Sequence, residues 1–378
     1  MPIRQIQQLL IPALIPILMA ASARGEEMTL KEAFKDRFYI GASFNQQVYR
    51  EEGRPTLKLI TEQFNSVTAE NAMKWERFQP RLNRFNYKPA DDFVEFGNRN
   101  DMYVVGHVLF WHNQTPDWVF EDDDGKPLSR EQLLKRMRER VRHMANRYGN
   151  RINVWEVVNE AYVDGELLDT KWTQIIGDDF IEQAFRIAQE ELPEDVELMY
   201  NDNGMMNPRQ RAAVVALIKD LQAKGIRIDG VGIQGHLWMS RPTIAEIETT
   251  ILALAETGVP IHVTELDIDV LPRHAQVWDG RADVQLRLQQ DPALNPYQDG
   301  LPDAVQAELT QRYADIFALF LKHHDKIKRV TFWGPHDGHS WLNNWPIRGR
   351  TNHPLLFDRA LKPKPAFHAV LKEARDAK

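Results

Sequence analysis

Two short runs hold the residues best suited to chemistry: Trp155-Glu156-Val157-Val158-Asn159-Glu160 and Ile261-His262-Val263-Thr264-Glu265-Leu266-Asp267. Each is rich in β-branched residues and ends in a carboxylate, and they lie about a hundred residues apart. A carboxylate at the carboxyl end of a parallel strand sits where barrel and open α/β enzymes carry their reactive groups. Two of them, from different strands, could flank one scissile bond. Glycoside hydrolysis needs that pair, one as proton donor and one as nucleophile or base.

Strand alternation would put Glu265 and Asp267 on the face of Ile261 and Val263, provided the strand stays regular. The aliphatic pair would then point into the interior and the acids would emerge at its mouth. Two close carboxylates repel, so a partner must hold them. His236, closing Gly232-Ile233-Gln234-Gly235-His236, is of the right kind: it can hydrogen-bond to both and keep Glu265 ionised.

Positioning these groups takes a rigid frame. Eight apolar runs read as strands: Tyr39–Ser43, Ser66–Ala69, Tyr103–His107, Asn153–Val158, Val196–Tyr200, Gly230–Gln234, Ile261–Glu265 and Val330–Trp333. Helical periods fall between them. Leu134, Met137, Val141, Met144 and Tyr148 share one face, with Gly149 as a stop; Val214, Leu217, Ile218 and Leu221 repeat the pattern up to Gly225; Tyr313, Ile316, Phe317 and Phe320 do so again. Alternating strands and helices imply parallel pairing. Eight such units predict an α/β fold, a single (β/α)8 TIM barrel, with an open doubly wound sheet as the alternative. The connection from Asp269 to about Asp303 shows little periodicity and should stand over the active face as a long functional loop.

At 378 residues the chain could hold two domains, but barrels also reach this length. The 43% hydrophobic and 27% charged content is that of a protein with a large core. A formal net charge of −7 disfavours nucleic acid and suits a neutral ligand. Near the start, Arg4, the apolar run Leu9 to Ala21 and Ala21-Ser22-Ala23 read as a secretory signal peptide over residues 1–23, followed by one catalytic barrel over 24–378. Pro12 and Pro16 interrupt that run, and it is too short to span a bilayer. The expected location is therefore secreted or periplasmic, with no membrane attachment after signal removal and a monomeric state. The absence of cysteine excludes disulfides and thiolate metal sites.

Here the chain resembles glycoside hydrolase family 10, the β-1,4-xylanases. Val157-Val158-Asn159-Glu160 and Val263-Thr264-Glu265-Leu266-Asp267 look like its two catalytic motifs. Further matches are Asn65 to Trp75, Gly106-His107 with Phe110-Trp111-His112-Asn113-Gln114, Gln234-Gly235-His236, and Trp333 with Asp337-Gly338-His339-Ser340-Trp341-Leu342. The resemblance runs from about Leu30 to the C-terminus. It implies a retaining double displacement with Glu160 as acid/base and Glu265 as nucleophile, about 5–5.5 Å apart. Asn159 would bond the 2-hydroxyl of the sugar, with His236 and Asp267 in support. Glu70, Asn71, Lys74, His107, Trp111, Gln114 and Gln234 would bind substrate, and Trp333 and Trp341 would roof the sugar. The implied ligands are xylan and xylo-oligosaccharides; no cofactor and no metal are implied.

Several residues depart from that pattern or distract from it. Glu156 stands where the family usually has Asp, which bears on its contact with His107. Asn203 replaces a frequent aromatic and predicts a weaker aglycone subsite. His336, Asp337 and His339 are read as rim structure rather than metal ligands. Asp122-Asp123-Asp124-Gly125 is read as a solvated turn, because it lacks a full calcium-loop spacing. Asn113-Gln114-Thr115 is a formal glycosylation sequon placed at the cleft. Trp75, Trp155 and Trp172 are assigned to the core. Two other functions fit the same barrel: a cellulase-like retaining β-1,4-glycanase, and a non-catalytic carbohydrate-binding barrel. Both carboxylates are present, which argues against the second.

Overall fold

Eight strands form where the short β-branched runs fall, in a computed structural model that describes residues 28–277 and 281–377. They are β1 (Tyr39–Phe44), β2 (Ser66–Ala69), β3 (Tyr103–Gly106), β4 (Val154–Asn159), β5 (Glu197–Asp202), β6 (Gly230–Ile233), β7 (Ile261–Asp269) and β8 (Ile327–Phe332). Each pairs in parallel with the next, and β8 returns to β1, so the sheet closes. The helices that follow are α1 (Arg54–Gln63), α2 (Tyr87–Arg99), α3 (Arg130–Tyr148), α4 (Phe180–Glu191), α5 (Pro208–Ala223), α6 (Ile244–Ala255), α7 (Asp303–Lys322) and α8 (Pro365–Asp376). This is a (β/α)8 barrel, as the alternation of elements predicts. The expected signal peptide over residues 1–23 lies outside the described residues.

Local sequence explains the helix ends. Ser129 opens α3 with a reciprocal cap: Gln132 Oε1 accepts its N–H at 2.8 Å, and its hydroxyl accepts the Gln132 N–H at 3.3 Å. Gly149 ends it at φ +48°, where a side chain would be strained. Along α3, Leu133 rather than Leu134 is fully buried, and it joins Met137, Val141, Met144 and Tyr148 facing the sheet.

Two layers of core result. A large apolar cluster lies between strands and helices and includes Ile261, Val263, Leu266, Tyr313 and Phe317 together with Trp75, Trp155 and Trp172. A separate small cluster, Tyr103, Val105, Val154 and Met199, packs apart from it. Around it the interior is polar: buried Arg329 donates from Nε to His262 Nδ1 at 3.2 Å and from Nη1 to Thr68 at 3.3 Å.

This corrects the expected phase of β7. Its interior-facing residues are His262 and Thr264, whereas Ile261 and Val263 pack in the outer cluster. The register shifts between Val263 and Leu266, a bulge that turns Glu265 inward and brings Asp267 to the mouth. In β4 a shift between Glu156 and Val158 turns Asn159 inward, where it meets Asn201 and Gln234. The connection after β7 also differs from expectation. It contains a helix, Ala282–Gln290, and a 3-10 turn, Pro292–Leu294. Val284, Leu288 and Leu294 bury a core of their own with Val277 and Ile347. The three apolar positions are separated by polar stretches and a proline, which hid the helical period.

Candidate active site

The bulge in β7 lets two consecutive side chains reach one asparagine. Thr264 donates to Asn201 Oδ1 at 2.8 Å, and Asn201 Nδ2 donates to Glu265 Oε1 at 3.1 Å. Asn201 fits because its neighbour on β6 is Gly232; a Cβ there would come within 2.1 Å of the Asn201 oxygen. The other oxygen of Glu265 lies 3.2 Å from His236 Nε2, and His236 Nδ1 lies 2.9 Å from Asp267 Oδ1. Trp341 Nε1 donates to the remaining Asp267 oxygen at 2.8 Å.

These contacts decide the charge state. Burial opposes the His236 imidazolium, but Asp267 and Glu265 outweigh it and push its pKa up to about 10. Burial likewise opposes the Glu265 carboxylate. The His236 bond and charge, with His107 and Lys74 behind them, win and hold Glu265 below its ordinary value. Asp267, more deeply enclosed, is raised by burial despite His236.

Glu160 leaves the end of β4 at φ +53°, a left-handed conformation that costs a non-glycine residue about 1–3 kcal/mol. Its N–H donates to the Asn201 carbonyl at 3.0 Å, which holds it there. Its carboxylate accepts Gln234 Nε2 at 2.7 Å and Trp111 Nε1 at 2.8 Å. Asn159 Oδ1 accepts from Asn201 Nδ2 at 3.0 Å and from Gln234 Nε2 at 3.4 Å. A chain of three amides, Gln234, Asn159 and Asn201, thus ties Glu160 to Glu265. The nitrogen of Asn159 has no partner among the described residues.

A second wall rises from the end of β2. Glu70 accepts Asn45 Nδ2 at 2.8 Å and Asn71 Nδ2 at 2.9 Å, and Lys74 Nζ donates to Asn71 Oδ1 at 3.1 Å. Burial raises Glu70 and lowers Lys74. Lys74 sits 5.0 Å from the centre of the Trp111 ring. His107 Nδ1 meets Glu156 Oε2 at 2.7 Å, both side chains buried, so the longer acid at position 156 reaches the imidazole. The imidazole packs edge-on against Trp333 at 5.3 Å. His107, Glu156 and Glu265 bring potential ligand atoms within 4.8 Å of one another. The His107–Glu156 bond already occupies one atom of each.

The remaining predicted residues are less engaged or lie elsewhere. Gln114 contributes through its backbone, its carbonyl accepting the Glu76 N–H at 2.9 Å. Trp333 is buried and Trp341 half-buried beside His236, at 4.8 Å. His336 bonds Thr56 at 3.3 Å, and burial pushes it down to about 4; Asp337 binds Lys364 at 3.0 Å. The two side chains are therefore spent in the rim. Asp122 accepts backbone N–H groups from Asp124 and Lys126 within a turn. Asn113 is exposed and meets His112 at 3.0 Å. Beyond Gln234 and His236 opens a cavity of about 350 Å³ lined by Asn203, Met205, Met206, Leu237 and Trp238. Sequence reasoning missed Asn201, Thr264 and Asn45. Asn201 stands at a strand end as the acids do, but an amide there signals chemistry far more weakly than a carboxylate.

Two carboxylates at the mouth of a closed parallel barrel, joined through amides and flanked by indole rings, are the working parts of a barrel glycoside hydrolase. The model of "Glycosyl hydrolase family 10" matches residues 29–373, and the chain belongs to that family. A protein of Xylanibacter ruminicola named Endo-1,4-beta-xylanase A is 40% identical over 357 residues, covering 94% of this chain and 96% of that one. Endo-1,4-beta-xylanase B of Paenibacillus barcinonensis is 39% identical, covering 91% and 97% respectively. Among solved structures, a GH10 endoxylanase retrieved from sugarcane soil metagenome superposes with a TM-score of 0.86 at 43% identity, covering 92% of this chain and all of that one.

Proposed function

We propose that this chain is an endo-1,4-β-xylanase that cleaves internal xylan bonds with retention of configuration. Glu265 attacks the anomeric carbon while Glu160 protonates the departing glycosidic oxygen, leaving a glycosyl-enzyme ester. Glu160 then takes a proton from water, which attacks the same carbon and frees Glu265. The observation that carries this assignment is the unlike setting of the two acids. Glu265 is bonded to a cationic imidazole, as a nucleophile must be to stay ionised. Glu160 is hydrogen-bonded by the neutral donors Gln234 and Trp111. Asn159 offers its nitrogen to the neighbouring 2-hydroxyl, a bond that can tighten in the transition state. Glu70, Asn71, Lys74, His107, Trp111 and Gln234 line the glycone side, and Gln114 also binds substrate. Trp333 and Trp341 crowd a C5 hydroxymethyl group and so favour xylose over glucose.

Export, processing near residue 23 and a monomeric barrel complete the proposal. No helix of the described residues is long and apolar enough to cross a membrane.

The test is product analysis on xylan, carboxymethylcellulose and an aryl β-xylobioside, with Glu265→Ala in parallel. Wild type should release xylo-oligosaccharides, and the variant should lose roughly 10⁴-fold in rate. Azide should restore turnover and yield an α-glycosyl azide. Preference for carboxymethylcellulose would favour the cellulase-like alternative. No cleavage of any substrate would return the search to a binding role.

A further inference from the structure

Beside the Glu70 wall lies a groove of about 290 Å³ that neither Glu160 nor Glu265 lines. Asn45 and Asn71, which clamp Glu70, form one side of it; Gln46, Gln47, Arg77 and Asn86 form the rest of its polar lining. Five of its side chains are amides, and no carboxylate lines it among the described residues. Arg77 is exposed and makes no ion pair among the described residues. Arg241, beside the cavity near Trp238, contrasts with it: Glu246 lies 3.5 Å away.

Amides donate to and accept from sugar hydroxyls, and a free guanidinium offers a planar fork that matches a carboxylate. A cation set among amides, in a lining with no carboxylate, creates a local attraction for an anion. We propose that this groove receives a uronic acid branch carried by the substrate, one sugar unit beyond those held by Glu70 and Lys74, and that Arg77 is the specificity-determining residue. This inference rests on the glycosidase reading above and names which decorated substrate the site favours.

The experiment compares kcat/KM on a linear xylo-oligosaccharide, on one of equal length bearing a single uronic acid near its non-reducing end, and on the same branched compound with its carboxyl reduced to an alcohol. The full chain should favour the acidic compound by about three- to tenfold, the range of an exposed to well-formed guanidinium–carboxylate contact. In Arg77→Gln that ratio should fall to about one through a higher KM, since a remote binding contact acts equally on ground and transition states. Arg77→Lys should keep part of it, and salt should erode it. Equal cleavage of all three, or a preference that survives Arg77→Gln or carboxyl reduction, overturns the inference and leaves the glycosidase reading intact. Failure to cleave any of the three overturns both.

Discussion

His236 holds two acids at once, and its charge is set by them. Its cation keeps Glu265 ionised to lower pH than an ordinary glutamate. The nucleophile must be a carboxylate, so the acid limb of the kcat/KM profile follows its protonation as pH falls. Removing the cation lets burial dominate and raises the Glu265 pKa. His236→Asn should therefore move the acid limb upward in pH, with the largest loss of activity on the acid side. An unmoved limb with uniformly lower activity would mean that His236 only positions Glu265. Asn201 matters at this scale as well: one side chain bonds Glu265, Asn159 and Thr264, so nucleophile and sugar-facing amide move together.

At the scale of elements, both reactive strands break their alternation near the mouth, β7 to turn Glu265 inward and β4 to turn Asn159 inward. Each has a register shift within a few residues of its carboxylate, between Glu156 and Val158 and between Val263 and Leu266. A regular β7 would have turned Glu265 to the helices with Ile261 and Val263. The neighbouring β6 contributes by what it lacks. Gly232 leaves the space that Asn201 fills, and an added methyl would have to displace that amide. Gly232→Ala should keep the barrel's circular dichroism but lower kcat on xylan, by as much as about 100-fold if the carboxylate shifts by an ångström. The eight strand runs and the main helical faces were legible because they depend on local periodicity. The bulges and the left-handed Glu160 were not, because each is imposed by hydrogen bonds to a neighbouring strand. The helix Ala282–Gln290 was also hidden, since its apolar residues are few and serve a small separate core.

For the whole molecule, stability should depend on pH through buried groups that hold protons more tightly when folded. Burial, with Glu160 nearby, raises Asp202 from 3.8 to about 7. Its protonated form is favoured in the folded state, so stability is lost as pH rises from about 3.8 to 7. His236, raised from 6.5 to about 10, contributes stability fully below 6.5 that disappears as pH climbs through 10. Melting temperature should thus decline from mildly acid to alkaline pH. Asp202→Asn should flatten the lower part of that decline and leave the upper part, which scanning calorimetry at several pH values would separate.

Residue type and local pattern alone determined that this chain builds a strand–helix repeat with acids at two strand ends. Those properties follow from side-chain chemistry and from periods of two and 3.6 residues, which any short window of sequence carries. The tertiary structure alone decided which way each acid points, which amides join them, and that Arg77 is left without a counter-ion among the described residues. Those outcomes depend on register between strands distant in sequence and on the space a neighbour such as Gly232 leaves open, and no single segment encodes either.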